Sequence, residues 1–396
     1  MAAPPLWSAK IRAERKARGW DAHSTARRLR KAAGDDRHDL PEHTDLVRSI
    51  RRWESGKIAV MSERYRLLYC AILQLGEDVL FGEEDRPASP QESAGSETDL
   101  GKIASLRQAD RQVGGGHLYA TVIGYLQSTV APRLFSGSEG DHSFATAAAF
   151  TEMAGWMAHD AGNDLLADQH FHRALAFAGL GGDRQLEAHV LGSMSHLTLH
   201  LGRPSEAVTY ARRGLDTLTR TRVPAPAVGV RLLAKAASGL AAQHESAEAA
   251  RLLVRAEAML GRQPEQSPSP WAAPYDEATL ALDTARCMLS LGQVSEAQRQ
   301  GRRFLAIRSA HRTRTRSRAF GQLVLASALL KQDQLDEACT LILDAVESTR
   351  SLSSLVVNRQ LTDLQDQLRA YQGHQGATDC LDVLDSAHRE RCWLYQ

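Results

Sequence analysis

The chain is poor in cysteine: Cys70, Cys287, Cys339, Cys380 and Cys392 are scattered over 396 residues. No two form a CxxC pair, and an odd count at such spacings makes a poor disulfide framework. Reduced thiols in a cytosolic protein are the expectation. Long apolar runs are also missing. None approaches the ~18 residues needed to cross a bilayer, and no apolar core precedes a small-residue cleavage site near the first residue. Secretion and membrane insertion are therefore not expected, and a cytoplasmic location is. There is no overall excess of charge, since 48 basic residues meet 47 acidic ones. Sustained period-2 alternation is absent, which argues against a sheet protein. Catalytic signatures are lacking too: there is no GxSxG, no cysteine-protease pattern and no carboxylate pair with context. Gly114-Gly115-Gly116 has no following GKS or GKT and no visible preceding strand, so it reads as a helix interruption rather than a phosphate loop. An enzyme is not suggested, and no cofactor is implied.

What is present is modular. Apolar residues make up 43% and charged residues 24%, a globular composition. At roughly 100–200 residues per domain, two or three domains are expected. Residues 1–82 carry a net charge of +5, residues 83–99 (EEDRPASPQESAGSETD) carry −5, and the rest is near neutral. This gives a basic head at 1–82, an acidic flexible linker at 83–105 and a body at 106–396. The body is rich in Ala, Leu, Arg, Glu and Gln, all good helix formers, with Gly and Pro between segments. An all-α fold is expected throughout.

The body repeats. GNDLLADQHFHRAL (162–175), GRPSEAVTYARRGL (202–215), GQVSEAQRQGRRFL (292–305) and DQLDEACTLILDAV (333–346) share a turn residue with an Ala five positions later. HESAEAARLLVRAE (244–257) fits more weakly. The anchors Ala167, Ala207, Ala249, Ala297 and Ala338 are spaced by 40, 42, 48 and 41 residues, a period of helix-pair solenoids. Gly155, Gly162, Ala167, Phe171 and Ala174 of the first unit give the motif a resemblance to the tetratricopeptide (TPR) repeat. Its small residues let paired helices approach closely, and the aromatic fills the space between pairs. The excess over the ~34-residue standard period is assigned to Pro/Gly loops between pairs.

In the head, LWSAKIRAERKARG (6–19) reads as an amphipathic helix ended by Gly19. Asp21 is the expected cap of a second helix, Thr44 of a third (DLVRSIRRWES, ended by Gly56) and Ser62 of a fourth. IRAERKARGW, Ala26, SIRRWESGK and a Leu-rich helix ending in LFG together resemble the lambda-repressor-like, XRE-type helix-turn-helix over about residues 8–82. With the repeats behind it, the chain resembles helix-turn-helix plus TPR regulators of high-GC bacteria. LRQADRQVGGGHLYATVIGYL (106–126) is similar to the segment after the linker in that group. The resemblance implies double-stranded DNA as a partner, a homodimer, and a short signal peptide or protein in the TPR groove. It also implies a structural pair between Glu54 and Arg15.

With the third helix as recognition helix, Ile50 and Trp53 are expected to face the core. Val47, Arg48, Ser49 and Arg52 then face outward, flanked by Arg51. Arg suits the paired acceptors of guanine in the major groove. Lys57, Arg27, Arg28 and Arg30 are expected to meet phosphate. The turn between the second and third helices departs from the family: KAAGDDRHDLPEHT (31–44) is long and acidic. It favours an alternative, a TPR protein-interaction scaffold with a degenerate head.

In TPR proteins the first helix of each pair lines the concave face. Carrying over the register puts Glu152, Trp156 and His159 there from one pair, and His189 and His196 from the next. Arg231 and Lys235 follow, then Asp283 and Arg286. An aromatic anchor among charges of both signs suits an extended peptide, although for any one of them taken singly an ordinary solvated position is the favoured expectation. Histidines recur in this stretch (His159/Asp160, His170/His172, His196/His200). Zinc needs three or four converging ligands, so no metal site is assigned.

Overall fold

The computed structural model describes residues 6–33, 40–56, 61–73, 75, 80–81, 94–115, 118–136, 140–221, 224–260, 270–309, 315–350, 352, 354–371 and 373–391. Among these residues there is no strand. The chain divides into two compact units, Met1–Pro90 and Gln91–Gln396.

The first unit is built from α1 (Leu6–Ala17), α2 (Ala22–Ala32), α3 (His43–Glu54) and α4 (Glu63–Leu73). Asp21 caps α2 by accepting a hydrogen bond from the Ser24 amide at 2.6 Å. The expected cap at Thr44 is not formed. The helix begins two residues earlier, at His43 after Glu42, and Thr44 is exposed in its first turn. Ile11, Leu29, Leu46, Ile50, Trp53 and Tyr69 form the core of this unit. The Arg15 guanidinium grips Glu54 with two bonds, of 2.6 and 2.8 Å, and so ties α1 to α3.

Residues 83–93 of the expected linker lie outside the described residues, and over 94–105 a helix of the second unit stands in its place. α5 runs over Ala94–Val113, although its first residues are acidic and small. The charge of fully buried Asp99 is met by the Arg133 fork at 2.7 and 3.0 Å and by the Tyr125 hydroxyl. Ile103 and Leu106 supply the buried face. Composition averages out such a specific partner, so the segment reads as solvated in the sequence.

After α6 (Tyr119–Tyr125), a π turn (Leu126–Val130) and α7 (Ala131–Ser136) come six antiparallel pairs. They are α8 (Gly140–Asp160) with α9 (Asp164–Leu180), α10 (Arg184–His200) with α11 (Pro204–Thr219), and α12 (Pro226–Ala241) with α13 (Ser246–Leu260). Then follow α14 (Glu277–Ser290) with α15 (Val294–Ser309), α16 (Thr315–Leu330) with α17 (Leu335–Ser348), and α18 (Leu355–Leu368) with α19 (Gln375–Glu390). The five anchor alanines all sit on second helices at 0% exposure. Ala377 holds the same place on α19, a sixth pair absent from the sequence reading. A Cβ on Gly155 would lie 2.5 Å from the Phe171 ring, which is why the first pair needs glycine there.

The last pairs of this unit meet its first. Arg316 on α16 holds Asp110 on α5 at 2.6 Å and Asp160 on α8 at 2.8 Å. Ser354 donates to Asp160 at 2.5 Å, and so does the Gly115 amide at 2.8 Å.

Candidate functional site

Within the second unit, α5 and the first helices of successive pairs surround a cavity of about 320 Å³. Glu152, Trp156, His189, His196, Arg231, Lys235, Asp283 and Arg286 all line it. His159 lines an adjoining cavity of about 340 Å³, which shares Trp156, His196, Leu282, Arg286 and Arg316 with the first. The nine residues expected in the groove are therefore neighbours. They are not ordinary solvated positions: Glu152, His189 and Asp283 are less than 5% exposed, and Arg231 and Lys235 are 8% exposed.

Their hydrogen bonds form two clusters on the cavity floor, one around Glu152 and Arg231 and one around Asp283. Glu152 Oε1 accepts from Trp156 Nε1 at 2.6 Å and from Ser193 Oγ at 2.7 Å. Arg231 donates to the His189 ring at 2.7 Å and to Ser193 Oγ at 2.8 Å. Lys235 Nζ and the Tyr275 hydroxyl both donate to Asp283 Oδ2, at 2.9 and 2.8 Å. Burial, with Arg231 behind it, pushes the His189 pKa down to about 4, so the ring is neutral and accepts from Arg231. Burial opposes ionisation of Glu152, but the surrounding His189, Arg231 and Arg107 outweigh it, and the carboxyl stays below its ordinary range. Burial likewise lowers His196 well below the ordinary imidazole value, and Lys235 and the neighbouring cations add to this. The cavity therefore offers fixed charges and neutral rings at neutral pH. Cys287, on the wall helix α14, has its thiol pushed up to about 12 by burial, so it is no ready nucleophile.

Arg107, Arg111, Asp110, Tyr275 and Arg316 also line the cavity and are missing from the sequence reading. Tyr275 precedes α14, outside the repeat register. Arg107, Asp110 and Arg111 share one face of α5 at helical spacing, a signal present in LRQADRQ.

Of the weighed histidines, His170 bonds Tyr119 at 2.9 Å instead. His159 and His200 converge on Asp164, a residue not paired with them in the sequence reading. Their ligand atoms lie within 4.8 Å of one another, a spacing that would suit a metal ion. The Arg359 guanidinium stands 3.5 Å from Asp164 and 3.4 Å from His200, where such a cation would compete with it.

In the first unit, α3 leaves Arg48, Arg51 and Arg52 exposed and Ser49 half-buried. Arg48 pairs with Asp45 at 2.8 Å on the surface. Val47 does not face outward. It is 4% exposed and packs with Leu46, Ile50 and Trp53, because an apolar side chain beside the buried stripe extends the core. On α2, Arg27 and Arg28 are exposed, the latter stacked 4.1 Å from the Trp20 ring. Arg30 donates to the Pro41 carbonyl. Lys57 and residues 34–39 of the long connection lie outside the described residues.

No family model matches the chain, and no curated protein sequence matches it. Solved structures of similar fold exist. A Rap protein complexed with competence and sporulation factor superposes with a TM-score of 0.51 and 15% identity, over 83% of this chain and 95% of that one. Bacillus thuringiensis PlcR, in complex with the peptide PapR7 and DNA, gives 0.40 and 12% over 78% and 97% of the two chains. Aspartyl phosphate phosphatase F from Bacillus subtilis gives 0.39 and 13% over 79% and 93%. At these identities the likeness is one of fold. The chain is an all-α protein with a TPR-like helical solenoid. Among the described residues, no helix is long and apolar enough to cross a membrane.

Proposed function

We propose that the chain is a sequence-specific DNA-binding transcription regulator of XRE type. Its TPR-like unit binds an effector, a peptide, and mediates dimerisation in the cytoplasm. The observation that carries the effector half is the cavity, where nine groove residues expected from the repeat register come together around fixed charges. The solved Rap protein of similar fold, which holds competence and sporulation factor, supports the same reading. The DNA half rests on α3, whose apolar stripe is buried while Arg48, Arg51 and Arg52 remain exposed on a net basic unit. Arg27 and Arg28 on α2 are exposed where they would meet phosphate at the edge of such a contact.

Two recognition helices set about 34 Å apart by dimerisation would read a partly palindromic site. An effector shifts that arrangement only through different affinity for the DNA-competent and DNA-incompetent states. Binding, not catalysis, is the role assigned to the cavity, because its carboxylates are held by neighbouring donors and the Cys287 thiol is no ready nucleophile.

The test is selection from a randomised duplex library with full-length protein, repeated with Arg48→Ala/Arg52→Ala. The expected result is one enriched motif that the double variant loses. Sequence-blind retention of both proteins would favour the second reading, a TPR scaffold with a degenerate head. The long connection over residues 33–42 between α2 and α3 is the feature on that side.

A further inference from the structure

This inference rests on the effector reading above and concerns the chemistry of the occupant. Six cations line the cavity (Arg107, Arg111, Arg231, Lys235, Arg286 and Arg316) against three carboxylates, Asp110, Glu152 and Asp283. The matches are uneven. Arg316 takes Asp110 together with Asp160. Lys235 takes Asp283, and Arg286 stands 3.7 Å from the other oxygen of that carboxylate. Arg107 and Arg231 are served differently. Arg107 donates to the Trp271 carbonyl, and Arg231 to the neutral His189 ring and the Ser193 hydroxyl. Among the described residues, neither forms an ion pair within 4.0 Å. The carboxylate closest to serving them, Glu152, is already held by Trp156 and Ser193.

A guanidinium drawn out of water without a matched anion is costly, and it retains donors in a planar fork that fits a carboxylate. Met153, Met157, Trp156 and Leu282 form an apolar and aromatic part of the remaining wall. An occupant complementary to both features carries an anion at one end of an apolar group. We infer that the cavity holds a peptide by its free C-terminal carboxylate, seated between Arg107 and Arg231. The last side chain is apolar and lies along Trp156, Met153 and Leu282.

An acidic side chain within the peptide is the other source of a carboxylate, and the test separates the two. Full-length protein is mixed with two pools of random hexapeptides, identical except that one ends in a free acid and the other in a carboxamide. Retained peptides are identified by mass spectrometry. The expected result is retention from the acid pool with an apolar last residue. Resynthesis of a retained peptide as its amide should weaken binding by at least about tenfold, whereas Asp→Asn or Glu→Gln changes within the peptide should matter little. Arg107→Gln should bring acid and amide within about twofold of each other.

Equal retention of both pools overturns the carboxylate assignment and leaves the effector reading standing. Retention that tracks an internal acidic side chain overturns the terminal seat. Retention from neither pool overturns the peptide reading, and this inference with it. The comparison of acid with amide is made on wild type, so it stands even if the Arg107 variant fails to fold.

Discussion

At the scale of single residues, the cavity is a set of buried ionisable groups whose protonation states are fixed by burial and by neighbours. His189 is the clearest case. Its pKa falls to about 4 in the folded chain, while an unfolded histidine titrates near 6.5. Below about pH 6.5 the unfolded state therefore takes up a proton that the folded state refuses. The stabilisation from the neutral ring is complete above that pH and is lost as pH falls toward 4. Denaturant unfolding at pH 7 and pH 5 should show His189 alone contributing about 2 kcal/mol to the difference. His189→Gln keeps an acceptor for Arg231 and should remove most of that slope; an unchanged slope would contradict the account. The residue types were readable in the sequence, but their burial was not. A charged residue on a helix reads as solvated unless its partners are known, and Asp283 finds Lys235 across 48 positions.

At the scale of elements, the pairs depend on small residues where helices touch. A Cβ on Gly321 of α16 would collide with the ring of Phe304, and one on Gly155 of α8 with the ring of Phe171. Both rings are fully buried and have no room to retreat. Gly155→Ala and Gly321→Ala should each lower unfolding free energy by about 1–3 kcal/mol. Gly179→Ala on α9 meets nothing within 4 Å and should instead gain up to about 1 kcal/mol from helix propensity. Thermal denaturation of the three variants checks the contrast, and three equal losses would contradict it. The repeat register, read from five anchor alanines, gave the pairing of helices and the face that lines the cavity. It stopped short of α18 and α19, where no turn glycine stands five positions before Ala377. It could not reach α5 either, since Arg107 and Asp110 belong to no repeat.

α3 offers a sharper test of the first unit. Arg48→Ala/Arg52→Ala changes two exposed side chains, so its melting should stay within about 0.5 kcal/mol of wild type. Its site-specific DNA binding should be lost, at roughly 1–3 kcal/mol for each base contact removed. Loss of folding along with binding would leave the contacts unassigned. Ile50 and Trp53 were readable as core because they fall on one helical stripe. Val47 was not, because its burial depends on how far neighbouring helices spread over that stripe.

At the scale of the whole TPR-like unit, the fifth pair is joined to α5 and the first pair through Arg316, and Ser354 at the start of the last pair bonds the same Asp160. Removal of Arg316 would strand Asp110 and Asp160 with their charges, and loss of one partner from a buried pair typically costs about 3–5 kcal/mol. Arg316→Gln should therefore speed amide exchange in α18, whose cap Ser354 bonds to Asp160, more than in α10. Uniform exchange across the unit would contradict a closure held at this point. The contact spans 206 positions from Asp110, beyond any periodicity in the sequence. It also lies on the wall of the cavity, so an occupant touches the joint directly.

That juxtaposition makes one measurement decisive. The affinity of the full-length protein for its selected duplex should be determined with and without a saturating peptide retained by the cavity. Regulation by an effector predicts a change of roughly 5- to 150-fold in either direction. Equal affinities, with the peptide demonstrably bound, would contradict the coupling of cavity to DNA on which the account rests.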